Sequence, residues 1–403
     1  MKFSIAIPLH SARSAREGWK NGDVVYDHPT PFDEPGTLVR TLESLKVLLH
    51  EKFDVIFVLA SVSPSIEKQA RQWLEKRLKE TAYRPPNMYI FSHSNLAKIA
   101  LGLAPSDKEK YKNFFNIRNY AEMRNAGCIA ATLLGSDVVV WLDDDELIRD
   151  KDFFKKLREG FEKRIGGEKV HLITGACPEG ETGSYIRVRE MKPWMEYWNK
   201  IKYQNEAFRK IIGTSPRWKV SPFAHGGLSA IRREVFERIP YDPVVSRGED
   251  MDFNINTRMF GYKFFLDNTL EIRHCPPPRL HPKWRGVRED VLRYIWERGK
   301  IRNQKRLKGM KSVTAEDFDP YPGAFLKDNL ENLIVRSQVA LAKEYLAEGK
   351  TADAEETLKT IELSFALLES KRNPFLEYVH TKKLWESFVA KLKKLNGRFY
   401  DQV

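Results

Sequence analysis

Asp143, Asp144, Asp145 and Glu146 stand in a row directly after Asp137-Val-Val-Val-Trp-Leu142, an apolar run of the kind that forms a buried β-strand. Four neighbouring carboxylates repel one another, so the arrangement is costly unless a cation or several donors neutralise it; a divalent metal is the economical solution. Other stretches carry groups suited to act beside such a cluster. Met123-Arg124-Asn125-Ala126-Gly127 brings a guanidinium and small residues. Ala224-His225-Gly226-Gly227-Leu228-Ser229-Ala230 is a glycine-containing strand that permits close backbone approach. Arg247-Gly248-Glu249-Asp250-Met251-Asp252 leads into a helix, and Glu271-Ile272-Arg273-His274 follows one strand later. Each has a plainer reading: acids gather at helix N-termini because the dipole favours them there, and a lone histidine is more often structural than a ligand.

The elements that must position these groups alternate. Apolar strand-like runs at 3–8, 54–62, 88–91, 137–142 and 171–176 are interleaved with amphipathic stretches at 37–50, 66–79, 117–134 and 152–164. Strand and helix in alternation give an α/β fold, a Rossmann-like, mostly parallel sheet covered on both faces. Ligands bind such sheets beyond the carboxyl ends of the strands, where 143–146 emerge. The segment 11–35, rich in Gly, Pro and charge, reads as a loop over the site. Between 190 and 218, three tryptophans among many Lys and Arg read either as an amphipathic lid or as a surface helix packing its aromatics.

Beyond residue 324 the pattern becomes helical, over 325–348, 352–370 and 374–395, with Gly349 placed as a C-cap and Thr351 as an N-cap. The expected organisation is a catalytic domain over 1–300, a basic linker over 301–323 and a C-terminal α-helical appendage over 324–403. No run approaches the ~18 apolar residues of a membrane span, and the three cysteines fit neither a disulfide framework nor a zinc pattern. A cytoplasmic protein is expected, and its abundance of Lys and Glu suits a heat-adapted one.

The 403 residues carry 68 Lys and Arg against 55 Asp and Glu, a net charge of +13, which implies an anionic partner. Residues 276–313 hold twelve basic and three acidic side chains, so this one segment supplies +9 of the excess.

Taken in order, Ile-Ala-Ile-Pro, Arg-Asn-Ala-Gly, Leu-Asp-Asp-Asp-Glu, His-Gly-Gly-Leu-Ser-Ala-Ile-Arg-Arg, Gly-Glu-Asp-Met-Asp-Phe and Ile-Arg-His resemble the metal-dependent nucleotide-sugar glycosyltransferases of the GT-A fold, and among them the inverting family-two type. The resemblance spans about 1–300. It implies a Mg²⁺ or Mn²⁺ ion and a nucleotide-sugar donor. Asp143 would face the ribose, Asp144 would occupy the variable position, and Asp145 would hold the metal with His274. Asp250 would be the base that deprotonates the acceptor, with Glu249 binding acceptor or donor sugar. Pro8, Leu9, Arg118 and Arg124 are candidates for the nucleotide pocket, with Gly227 on the donor side. Relatives often carry an Asp at the end of the second strand to hold the base, where this chain has Leu59-Ala60-Ser61.

The basic segment is then expected to hold the diphosphate and an anionic acceptor. That favours mannose from GDP-mannose as donor and a compatible-solute polyol phosphate, di-myo-inositol phosphate for instance, as acceptor. A lipid-linked or polysaccharide acceptor at the membrane surface is an alternative. A sugar-phosphate nucleotidyltransferase would share the fold and the metal carboxylates, but it usually carries a Gly-rich phosphate loop where this chain has Pro8-Leu9-His10-Ser11-Ala12-Arg13. A nucleic-acid or anionic-membrane binder built on Trp284, Tyr294, Trp296 and the interleaved arginines would permit stacking, yet it leaves 143–146 unexplained. Nucleic acid is therefore not an expected partner, and peripheral membrane contact is at most accessory.

Overall fold

The computed structural model describes residues 1–180, 183–278, 281–395 and 399–403. In chain order its principal strands are β1 (Phe3–Ala12), β2 (Thr30–Pro31), β3 (Phe53–Ser61), β4 (Asn87–Phe91), β5 (Val138–Trp141), β6 (Glu146–Leu147), β7 (Leu172–Ala176), β8 (Trp218–Val220), β9 (Ser229–Arg232), β10 (Phe264–Glu271), β11 (Arg273–His274) and β12 (Asp401–Gln402). Ten of them form one mixed, mostly parallel sheet in the order β8-β10-β7-β9-β5-β1-β3-β4-β12, with β2 also on β1. All nine residues of β3 are buried, as the apolar run requires of a strand covered on both faces. In β1 the alternation is explicit: Phe3, Ile5, Ile7 and Leu9 enter the core on one side of the sheet and Ala6 the core on the other.

The helices that matter below are α1 (Leu38–Ser44), α2 (Glu67–Glu80), α3 (Tyr120–Leu133), α4 (Phe153–Phe161), α5 (Lys200–Ile211), α6 (Glu249–Met259), α7 (Lys283–Asn303), α8 (Leu330–Ala347), α9 (Thr351–Glu369) and α10 (Pro374–Leu392). Among the described residues no helix is long and apolar enough to cross a membrane.

The C-terminal helices form as expected but share the core of the rest of the chain. Tyr345, Ala354, Phe375 and Tyr378 belong to one apolar cluster with Trp194, Trp198, Phe223 and Tyr294. Trp385 and Phe388 of α10 pack on Phe114 at ring separations of 5.2 and 5.5 Å, and β12 pairs antiparallel with β4 at the sheet edge. The boundary expected at 300 falls inside α7.

The basic segment departs furthest from expectation. Trp284, Tyr294 and Trp296 are buried, so they offer no stacking surface. Arg293, Arg298 and Lys300 are buried too, and ion-paired: Arg293 with Asp290 and Glu297, Arg298 with Glu331, and Lys300 with Asp242 and Asp252 at 2.6 Å each. Long basic side chains on α7 thus neutralise acids of the same helix and of packed neighbours. Among the described residues of the segment, Lys283, Arg302, Lys305, Arg306, Lys308 and Lys311 are exposed, and the stretch from 305 to 311 sits by the C-terminal end of α6, where the Lys311 N–H bonds the Met259 carbonyl at 2.9 Å. Arg279 lies outside the described residues.

Candidate active site

At the carboxyl ends of β1 and β5 lies a cavity of about 270 Å³. It is lined by 143–146 from the end of β5, by Glu249 and Asp250 from α6, by His274 from β11, and by Arg124 from α3. The local causes are legible. β11 pairs antiparallel with β6, setting His274 opposite Glu146, and the Cys275 N–H bonds the Asp145 carbonyl at 2.9 Å. This two-residue ladder brings His274 Nε2 to 3.6 Å from Asp145 Oδ2.

Arg124 is the organising cation. Its Nη2 donates to Asp143 Oδ1 and its Nε to Glu249 Oε1, both at 3.1 Å, while the guanidinium lies over the Trp141 ring at 4.6 Å. Gly127, one turn further along α3, permits this packing, since a Cβ there would overlap the same indole. Asn125 anchors the opposite loop by exchanging hydrogen bonds with the backbone of Tyr241.

The carboxylates are not equivalent. Burial, with neighbouring negative charge, pushes Asp144 and Glu146 well above the usual range; for Asp143 burial raises the value while Arg124 opposes it. Asp145 lies below its ordinary value: burial works against its charge, but His274 beside it more than compensates, and His274 is raised in turn. Asp144 Oδ2 accepts from Thr37 at 3.0 Å, tying the acidic loop to the residue before α1. Glu146 accepts from the Asp143 N–H at 2.8 Å and occupies the space above Gly227, where any Cβ would overlap its carboxylate. Burial pushes Glu249 up to about 7 despite Arg124. Asp250 Oδ1 accepts from the Met251 N–H at 2.8 Å at the start of α6.

Three residues expected at the nucleotide pocket lie elsewhere. Leu9 points into the apolar core with Leu38 and Leu42. Pro8 is buried within β1, and the next residue on its face of the strand, His10, lines the cavity instead. Arg118 is largely exposed, its guanidinium bonded to Glu122. His225 and Arg247, from two of the stretches singled out in the sequence, line the cavity, and so do residues not anticipated from it, among them Asp27, His28, Tyr120, Arg187 and Lys200. Alternation along β1 was a usable signal for His10. The segment 11–35 does reach the site, through Asp27, which pairs with Arg247 at 2.8 Å. The 190–218 segment is mixed: Trp194, Trp198 and Trp218 are buried packing residues, while Lys200 and Gln204 of α5 face the cavity. Arg13, where a nucleotidyltransferase would want a phosphate-binding cation, is held by both oxygens of Asp23 at 2.8 Å.

Seven carboxyl side chains line the cavity against four Lys and Arg, a wall richer in acidic groups than the strongly basic molecule around it. A diphosphate would be repelled from such a wall unless a cation entered with it. Among the described residues no three His, Cys, Asp or Glu converge on one point. Asp145 and His274, 3.6 Å apart, offer at most a partial ligand set; an ion held by so few protein groups needs substrate oxygens to complete its coordination, as Mg²⁺ commonly does at phosphate sites.

Comparison with solved structures returns distant likenesses. A mannosyltransferase, PcManGT from Pyrobaculum calidifontis, solved with GDP-Man and Mn²⁺, is 13% identical at a TM-score of 0.45, over 98% of this chain and 86% of that one. S. aureus TarS 1-349 in complex with UDP is 14% identical at a TM-score of 0.41, covering 98% and 91%. GalNAc-T7 with UDP, GalNAc and Mn²⁺ is 13% identical at 0.39, covering 85% and 58%. No family model and no curated protein matches the chain.

Proposed function

We propose that this protein is a metal-dependent glycosyltransferase that takes a sugar from a nucleotide-diphosphate donor and delivers it to a polar acceptor hydroxyl. The observation that carries the reading is the meeting of Asp145 and His274 with the Glu249–Asp250 pair in one cavity rich in acidic groups. Asp145 and His274 would hold a divalent ion, which when bound supplies Lewis-acid neutralisation of the departing diphosphate. Asp143, tied to Arg124, is suited to accept from the ribose. Asp250 takes the proton of the acceptor hydroxyl as its oxygen bonds to the anomeric carbon and the bond to the diphosphate breaks on the opposite face, inverting that centre. Glu249 and Arg124, locked to each other, orient the sugar between the two ends.

As donor we favour GDP-mannose and as acceptor a small phosphorylated or carboxylated polyol. Arg187, Lys200 and Arg247 on the cavity wall support an anionic acceptor, though each already pairs with an acid: Glu179, Asp290 and Asp27 respectively. The test is a panel of nucleotide sugars assayed for slow hydrolysis with Mn²⁺ and with chelator. One donor, GDP-mannose first, is expected to be hydrolysed only with metal. Consumption of a nucleoside triphosphate with a sugar phosphate instead would replace this reading with nucleotidyl transfer.

A further inference from the structure

We propose that the outward face of the α8–α9 hairpin is where two copies of this chain meet, as a two-fold symmetric dimer. The face is unusual in what it leaves in water: Val339 is 37% exposed, Leu346 55%, Leu358 42% and Phe365 39%. Meanwhile α9 buries Ala354, Thr357, Thr360 and Ser364. Apart from Leu367 and Leu368 near its end, which pack against the core, α9 turns small and polar side chains inward and leaves Leu358 and Phe365 outside, unlike a helix that ends its packing within one chain.

The order of residues around each helix, at about 100° per residue, fixes the layout of this face. On α9, Asp353 and Thr360 meet Trp284 and Arg288 of α7 at 2.8 and 3.0 Å. Past the buried residues come Leu358 and Phe365, and past those Glu362 and Glu355. On α8, Tyr345 accepts from the Trp284 N–H at 3.2 Å. Past its buried residues come Leu346 and Val339, then Lys343 and Arg336. The helices are antiparallel, so both sweeps end on the same outer face. Across it run a basic row, two apolar rows and an acidic row. Among the described residues, Lys343, Glu355 and Glu362 form no ion pair, and Arg336 only lies over the Tyr197 ring at 5.4 Å.

That pattern is complementary to itself in one arrangement. A two-fold axis in the plane of the interface and perpendicular to the helices sets base on base. An axis parallel to the helices lays α8 of one copy on α9 of the other, apolar on apolar and base on acid. Such an axis also preserves height along the helices. Lys343 and Glu355 each stand six residues from Gly349, and Arg336 and Glu362 each thirteen, so the opposite charges meet level. Two helices about 27 Å long and together ~20 Å wide give roughly 540 Å² per copy, or ~1,100 Å² in all, above the ~1,000 Å² of a specific contact.

The test is the mass of the full chain by sedimentation equilibrium over a concentration series, independent of any assay of activity. The expected result is twice 46.9 kDa. Lys343→Glu or Glu355→Lys alone, each acting twice in a symmetric dimer, is expected to weaken association about ten- to a hundred-fold. The two together restore it. Both changes are on exposed helix surface and leave the fold intact. A single-chain mass throughout, or association indifferent to both reversals, overturns the proposal.

Discussion

The guanidinium of Arg293 fills the space that a side chain on Gly248 would need: a Cβ there would stand 2.5 Å from Cζ, and Nη1 donates to the Gly248 carbonyl at 3.3 Å. Gly248 itself has φ of 73°, open to glycine and strained for other residues. The turn that presents Glu249 and Asp250 therefore rests on a buried arginine from α7. The same hub reaches further, because Asp290 bonds Arg293 and also Lys200 and Arg247, both on the cavity wall.

Gly248→Ala is expected to lower kcat at least tenfold and to cost about 2–4 kcal/mol of stability, by overlap and by backbone strain together. Arg293→Met, which keeps the volume and removes the hydrogen bonds, is expected to reduce kcat while the KM for donor stays within a few-fold, as befits a positioning residue. A kcat equal to that of the wild type in both variants, measured on folded protein by thermal unfolding and initial rates, would detach α7 from the site.

Gly227→Ala puts a methyl group into the Glu146 carboxylate. The carboxylate must move or the strand must shift, at about 1–3 kcal/mol. A melting temperature and an activity unchanged from wild type would show that Glu146 has room the structure does not contain.

The state of Glu249 sets a pH dependence whose sign can be worked out. Its folded pKa is raised to about 7, through burial that Arg124 only partly offsets, above the ordinary carboxyl value. Stability linked to this group is thus fully present at low pH, where both states are protonated, and is lost as pH rises toward and through 7. Glu249→Gln removes the loss, which is bounded at about 3 kcal/mol. The difference in melting temperature, variant minus wild type, should grow more positive from pH 5 to pH 8. A constant difference would mean that Glu249 is ionised throughout.

How much of this was legible beforehand follows from what each signal is made of. The strands β1, β3, β4, β5 and β7 and the helices α1 to α4 were readable, to within a turn or so at their ends, because hydrophobic period is a local property of the chain; short strands such as β2, β8 and β12 carry no run long enough to show it. The acidic cluster announced itself as charge that costs energy without a purpose, His274 and the Glu249–Asp250 pair were picked out by the family resemblance of their motifs, and the fold brings all of them into one cavity. Leu9 and His10 differ only by strand parity, which motif matching ignores and a pleated strand enforces. The basic segment misled for a different reason. A run of Arg and Lys reads as solvated when its acids are far away in sequence, and the partners of Lys300 are Asp242 and Asp252, 58 and 48 positions earlier. The Arg293–Gly248 contact is likewise a product of tertiary packing, with no local trace beyond a glycine.

Metal binding should depend on the donor. His274→Ala is expected to weaken Mn²⁺ affinity about ten- to a hundred-fold in the presence of a nucleoside diphosphate, read by electron paramagnetic resonance of free Mn²⁺. Retention of wild-type affinity would return His274 to a purely structural place on β11.

The most direct test of the functional reading is a calorimetric titration of GDP-mannose into the wild type and into Asp145→Asn, each with Mn²⁺ and with chelator. The expected result is binding by the wild type only with metal, weakened at least a hundredfold in Asp145→Asn. Binding of equal strength with chelator, or failure of the wild type to bind this or any other nucleotide sugar with metal present, would contradict it.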